Sequence, residues 1–142
     1  MSPNRLLLAA FAALFLVLAP AAQAAAPATK NRIVIQINED DSKKWNGVLA
    51  NIRNIQAELG AKNVAIALVA IGPGLGMLTA ESLAANGVQD AIAAGVEFVA
   101  CGNSMKAQHI EKADLADGVG VATAGYVELM KRQQQGWAYL RP

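Results

Sequence analysis

The amino-acid sequence predicts an α/β fold built on a mainly parallel sheet of about five strands with helices on both faces. Three observations point there. Short β-branched or apolar runs alternate with segments of helical period throughout residues 32–142. One run, Val64 to Ile71, is apolar without interruption, as befits a strand covered on both faces. Glycines stand where one element hands over to the next, at Gly60, Gly72, Gly95 and Gly136.

Taken in order, Arg32 to Asn38 is rich in β-branched residues and reads as the first strand. Glu39, Asp40, Asp41 and Ser42 form a helix start. From Lys43 to Leu59 the residues Trp45, Val48, Leu49, Ile52, Ile55 and Leu59 recur at helical spacing, and Gly60 stands in the C-terminal cap position. Val64 to Ile71 is the second strand, ended by the loop Gly72-Pro73-Gly74-Leu75-Gly76. Thr79 to Ala94 reads as one or two helices bent near Asn86-Gly87, with Leu83, Val88, Ala91 and Ile92 facing the sheet. Val96 to Ala100 is the third strand, and Cys101-Gly102-Asn103-Ser104 turns into a helix from Met105 to Ile110. A further helical turn in Lys112 to Asp117, a short strand Val119 to Ala122, a helix Gly125 to Gln135 and a last strand Trp137 to Leu140 complete the pattern.

The first 24 residues stand apart from this domain. Arg5, the uncharged run Leu6 to Ala19 and the Ala22-Gln23-Ala24 site make a secretory signal peptide, followed by a linker over residues 25–31. The run is too short for an ordinary span of about 20 residues, so the mature chain is expected in the periplasm and off the membrane. Of 142 residues, removing 24 leaves 118, enough for one domain that buries roughly two thirds of its unfolded surface without staples. A TIM barrel, at about 250 residues, is excluded. Setting Arg5 aside leaves 11 basic residues against 11 acidic ones, and no basic excess favours nucleic acid.

Ligands of parallel sheets gather beyond the carboxyl ends of the strands, where three segments fall: Glu39 to Ser42, Gly72 to Gly76, and Cys101 to Ser104. Cys101 is the only cysteine. In an exported chain it is a buried inert thiol, an intermolecular bridge or a reactive thiol. Its place between a strand and a helix start favours thiolate, with Lys106 near enough in sequence to add positive charge. The competing reading is a thiol that fills a small apolar gap. His109 lies eight residues on, about 12 Å along a helix, too far for a Cys-His pair without a chain break.

One histidine and one cysteine exclude a four-ligand zinc site. Glu39, Asp40 and Asp41 are better explained as helix-capping acids than as a cation site. The glycine segment matches neither G-x-G-x-x-G nor the P-loop, so no nucleotide or other cofactor is expected. Trp45, Trp137 and Tyr139 are expected to cover the sheet.

Four blocks together resemble the DsrE/DsrF-like family: RIVIQIN with EDD and KKWN (Arg32 to Asn46), GPGLGML (Gly72 to Leu78), FVACGNSMKA (Phe98 to Ala107) and GWAYLRP (Gly136 to Pro142). The resemblance implies a single three-layer α/β/α domain that forms homo-oligomers, commonly trimers or hexamers. In the family's sulfur-relay branch a cysteine after the corresponding strand accepts sulfane sulfur as a persulfide and passes it on. Cys101 matches that position, whereas Gly102-Asn103-Ser104 replaces the small apolar residues usual in relay subunits, which are cytoplasmic.

The function expected is thus a periplasmic persulfide carrier or thiol-reactive protein, a sulfur-transfer protein rather than a hydrolase or oxidoreductase, with a sulfur-donor or acceptor protein as partner. Cys101 carries the chemistry, and Gly72, Gly74, Gly76, Gly102, Asn103, Ser104 and Lys106 shape its surroundings. The alternatives are a homo-oligomeric binding or scaffold module without turnover and a redox sensor joined between subunits through Cys101.

Overall fold

The computed structural model describes residues 31–142. The expected signal peptide, residues 1–24, and residues 25–30 of the expected linker lie outside the described residues. Five strands, β1 (Asn31–Ile37), β2 (Val64–Ala70), β3 (Glu97–Cys101), β4 (Gly120–Ala122) and β5 (Ala138–Leu140), form one sheet in the order β4-β3-β2-β1-β5. Every neighbouring pair is parallel. Four helices connect them: α1 (Ser42–Leu59), α2 (Ala85–Ala93), α3 (Gly102–Gln108) and α4 (Gly125–Gln134). The three-layer α/β/α architecture is therefore present.

The topology decides which helix covers which face. The chain steps from β1 through β4 in one direction and then returns across the sheet to place β5 beside β1. Right-handed crossovers then put α4 on the face opposite α1 and α2. The side chains agree: Ile35 of β1 shares a cleft with Val48 and Ile55 of α1, whereas its neighbour Gln36 faces Leu129 and Met130 of α4. Strand side chains alternate between faces, so consecutive residues of β1 meet different layers.

Most elements form where the local signals place them. In α1 the Asp41 carboxylate accepts from the N–H groups of Lys43 and Lys44 at 2.9 and 3.2 Å, and Gly60 ends the helix at φ 84°. Its buried stripe is Trp45, Val48, Leu49 and Ile52, while Leu59 at the last turn reaches solvent. β2 is buried at Val64 and from Ile66 to Ala70, flanked on both sides by β1 and β3. That central position explains its unbroken apolar run.

Several boundaries differ from the sequence reading. Asn31 is the first residue of β1 and not the last of the linker, because it pairs with Val64. Gly72–Leu78 is a 3-10 helix and not a plain loop, since Leu75, Met77 and Leu78 are all drawn into the core. Helix α2 begins only at Ala85, because Thr79 bridges to Leu115 and Ala80 N–H bonds to Asp114. Leu83 consequently precedes the helix and is 85% exposed instead of facing the sheet. The third strand extends to Cys101, and α3 starts directly after it at Gly102. Of the three large aromatics assigned to the core, Trp45 is buried, Trp137 is partly buried under the Arg132 guanidinium, and Tyr139 is exposed on the edge strand β5.

Candidate functional site

Cys101 ends β3 and is buried, with 4% of its surface exposed. Two helix starts meet at its sulfur. α3 begins with the next residue, and α4 begins at Gly125, whose N–H donates to Cys101 Sγ at 3.2 Å. No side chain caps the start of α4, where Ala124 holds the N-cap position. The cysteine sulfur therefore takes one of the donors that a helix start leaves unpaired.

This convergence depends on a missing side chain. A Cβ at Gly125 would stand 2.7 Å from Ile71 Cγ1, closer than real side chains approach, and 3.1 Å from Cys101 Cβ, tighter than most do. Only glycine lets the first turn of α4 descend onto the sheet. The start of α3 is tied in by Asn103 N–H, which donates to Thr123 O at 3.1 Å, and Gly102 packs against the Ala122 and Thr123 carbonyls. Ser104 Oγ accepts from Gly72 N–H at 2.8 Å, and Gly72 O accepts from Gln108 Nε2 at 2.7 Å.

The electrostatics follow from these contacts. Burial alone pushes the Cys101 thiol up, because a thiolate loses hydration. The Ser104 side chain, the Gly125 N–H and the N–H groups of Ser104 and Asn103 together outweigh it and hold the thiol below its ordinary 9.0. All of these donors are neutral groups, so the thiolate is stabilised by oriented dipoles rather than by a counter-ion. Such surroundings favour the thiolate form without a general base.

The structure gathers some of the predicted site residues and disperses others. Cys101, Gly102, Asn103, Ser104 and Gly72 form one cluster. Gly74 and Gly76 do not shape it. Gly74 N–H bonds to Asn38 O at 2.9 Å, and Gly76 packs against the Trp45 ring, both toward the end of β1. The 3-10 winding of this segment is the reason, because it turns successive residues away from the sulfur. Lys106 likewise lies apart: it is exposed and lines a groove with Met105, His109 and Val121, and it is not among the groups acting on the sulfur. Five residues beyond Cys101, at 3.6 per turn, the helix has carried it to another side. His109 is the exposed left-handed cap of α3 (φ 54°) and does not meet the thiol.

Among the acids, Asp41 caps α1, and Glu39 pairs with Lys44 at 3.2 Å and Arg141 at 3.3 Å. The Asn38 N–H and then Lys44 lower the Glu39 carboxyl to about 2. Among the described residues no three carboxylate, imidazole or thiol groups converge on a metal position. No helix among them is long and apolar enough to cross a membrane.

Two contributors escaped the sequence reading. Gly125 is the donor to the sulfur, and its only local sign was a helix starting at Ala124-Gly125 without a capping side chain. Gln36 is the one buried polar residue of the described core, held by the Tyr139 hydroxyl and donating to Asn38 Oδ1. Tyr139 lies 103 residues away in sequence, so no local signal could have paired them.

Comparison with known proteins agrees with the architecture. The model of the DsrE/DsrF-like family matches residues 33–142. The solved structure of MTH1491 from Methanobacterium thermoautotrophicum, a protein of unknown function, is 36% identical, covers 79% of this chain and 99% of its own, and superposes with a TM-score of 0.76. The ychN protein from E. coli shares the fold at 18% identity and a TM-score of 0.67, over 79% of this chain and 99% of its own. BT1422 from Bacteroides thetaiotaomicron, also of unknown function, does so at 13% and 0.67, over 83% and 100%. No curated protein matches.

Proposed function

The chain belongs to the DsrE/DsrF-like family, and on that premise we propose that it serves a sulfur relay in which Cys101 accepts sulfane sulfur as a persulfide and hands it on. The observation that carries this reading is the Cys101 sulfur at the junction of two helix starts, with Gly125 N–H at 3.2 Å and no acid-base partner. A carrier needs one nucleophilic thiolate and nothing that would hydrolyse the product.

In the transfer step the Cys101 thiolate attacks the terminal sulfur of a donor persulfide. A new bond forms between Cys101 Sγ and the transferred sulfur, the donor's S–S bond breaks, and the donor leaves as a thiolate. The proton of the transferred group stays with it, and no net oxidation occurs. Passing the sulfur on to an acceptor thiolate is the same step in reverse, and the dipoles at the sulfur then stabilise Cys101 as leaving group. Since Cys101 is only 4% exposed, delivery requires the starts of α3 and α4 to part at the mouth.

The reading includes export to the periplasm by residues 1–24, a donor or acceptor protein as partner, and self-association as a trimer or hexamer. Self-association is supported by Tyr126 and Met130 of α4, which are exposed and line one groove with the exposed Tyr139 of β5.

Intact-mass spectrometry after incubation with polysulfide tests the relay. The expected result is a gain of about 32 Da, or multiples of it, reversed by reductant and missing in Cys101→Ser. No gain in the native protein, with a thiol that also resists alkylation, would sink the carrier reading and leave the binding-module alternative. One feature favours that alternative, a groove of about 480 Å³ lined by uncharged residues including Gln36, Tyr126, Met130 and Tyr139.

A further inference from the structure

Helix α4 is held by different means at its two ends. At the start, Ala124 occupies the N-cap position and offers no side-chain cap. The Gly125 N–H donates instead to Cys101 Sγ at 3.2 Å, so the sulfur takes the place of a capping oxygen. Glu128 N–H closes the first turn on Ala124 O at 3.1 Å. Toward the far end Arg132 is pinned: its Nη2 bonds Glu97 at 2.7 Å, its guanidinium lies 4.6 Å from the Trp137 ring centroid, and its carbonyl accepts from Trp137 N–H at 3.1 Å. Leu129, between the two ends, is buried. The first turn carries Tyr126 and Val127, both exposed.

The sulfur is a different acceptor before and after it takes up cargo. A thiolate has its negative charge on Sγ, and hydrogen bonds to an ionised acceptor are roughly twice as strong as neutral ones. Transfer of a sulfane sulfur joins Sγ to a second sulfur, while the donor's S–S bond breaks and the donor leaves with the electron pair. Sγ is then the inner, uncharged sulfur of a persulfide and a weak acceptor, with any charge on the outer sulfur about 2 Å away. The added atom must also find room beside a cysteine that is buried, next to a glycine packed too tightly for a Cβ.

We propose that sulfur loading of Cys101 uncaps α4: the first turn, with Tyr126 and Val127, loosens while the Arg132 end stays fixed, and the outer face of the helix thereby tells a partner whether the thiol is empty or loaded. The inference rests on the reading of Cys101 as a sulfur carrier. Tyr126 lines the groove with Gln36, Met130 and Tyr139, so the change reaches that surface as well.

The test is amide hydrogen exchange, followed residue by residue by NMR above the thiolate midpoint, before and after polysulfide treatment. Mass spectrometry reports loading in the same samples as a gain of about 32 Da or multiples of it. Loss of a cap predicts exchange faster by roughly fivefold at Gly125 and Glu128 in the loaded protein, with Arg132 to Gln134 unchanged. Reductant should restore the slow rates. Cys101→Ala, which offers no acceptor, should show the fast first turn whether or not polysulfide is added. A loaded protein whose Gly125 and Glu128 amides keep the unloaded rate overturns the switch and leaves the relay standing. Equal acceleration along the whole helix overturns the fixed end and with it the lever. A native protein that gains no mass overturns the relay and the switch together.

Discussion

At the carboxyl end of the sheet two strand ends favour negative charge, one with charged partners beside a backbone N–H and one with neutral donors alone. At the end of β1, Glu39 sits at the surface between Lys44 and Arg141, with the Asn38 N–H behind it. At the end of β3, Cys101 is buried under two helix starts and meets only neutral donors. Mobile cations and salt compete with the first arrangement, whereas fixed dipoles in a dry setting are not screened in that way. The more charged cluster is thus the less suited to chemistry: its carboxylate is already neutralised by partners, while the donors at the end of β3 favour a thiolate without a counter-ion.

The largest expected effect separates packing at the two ends. Gly74→Ala would place a Cβ 2.5 Å from the Ile37 carbonyl oxygen, a backbone atom that cannot step aside. We expect a loss of about 3 kcal/mol in denaturant unfolding. The thiolate midpoint of the folded variant should stay where it is, because the added Cβ meets Ile37 at the β1 end. A shifted midpoint would show that the two ends are mechanically joined.

Gly125→Ala comes next. Its Cβ meets side-chain atoms of Ile71 and Cys101, which yield more readily than backbone, so about 1–2 kcal/mol is expected. Here the thiolate midpoint must rise as well, since the start of α4 is pushed off the sulfur. Loss of stability with an unmoved midpoint would remove Gly125 N–H from the account.

Salt gives a third and smaller contrast. In 1 M salt, where screening acts within about 3 Å, the acid transition of Glu39 should move up by the part that Lys44 supplies, the Asn38 N–H being unscreened, while the Cys101 midpoint changes little. Carboxyl NMR shifts and thiolate absorbance would follow the two groups in one sample. Equal sensitivity would mean that cations act on Cys101 after all.

The smallest effect is in stability against pH. The folded Glu39 carboxyl is lowered from 4.5 to about 2, so its contribution is present above 4.5 and is lost as pH falls toward 2. Glu39→Gln should therefore be slightly less stable than the native protein at neutral pH and indistinguishable from it near pH 2. Paired thermal melts across that range would check the sign, and a gap that widens on acidification would reverse it. The surface position keeps the difference small.

Several features are legible along the chain because the physics that makes them is local. Trp45, Val48, Leu49 and Ile52 announce α1 by spacing, and Asp41 and Gly60 mark its ends. The apolar run of β2 announces a central strand, and the placement of Cys101 at a strand-to-helix junction follows from the elements on either side of it. Where local signals mislead, a distant contact has intervened. Thr79 would continue into a helix if it were not bridged to Leu115, and Leu83 is exposed for that reason.

By itself, then, the sequence determined the alternation of strands and helices, the parallel sheet and the cysteine at the end of β3, since periodicity, caps and β-branched runs act over a few residues. Tertiary structure decided what faces the sulfur. Gly125 reaches Cys101 from 24 residues away, and Gly72 reaches Ser104 from 32, while Lys106, only five residues from the cysteine, is turned aside by its own helix. Which donors surround the thiolate depends on strand order and on how closely two helix starts can approach one sheet edge, quantities that no window along the chain contains.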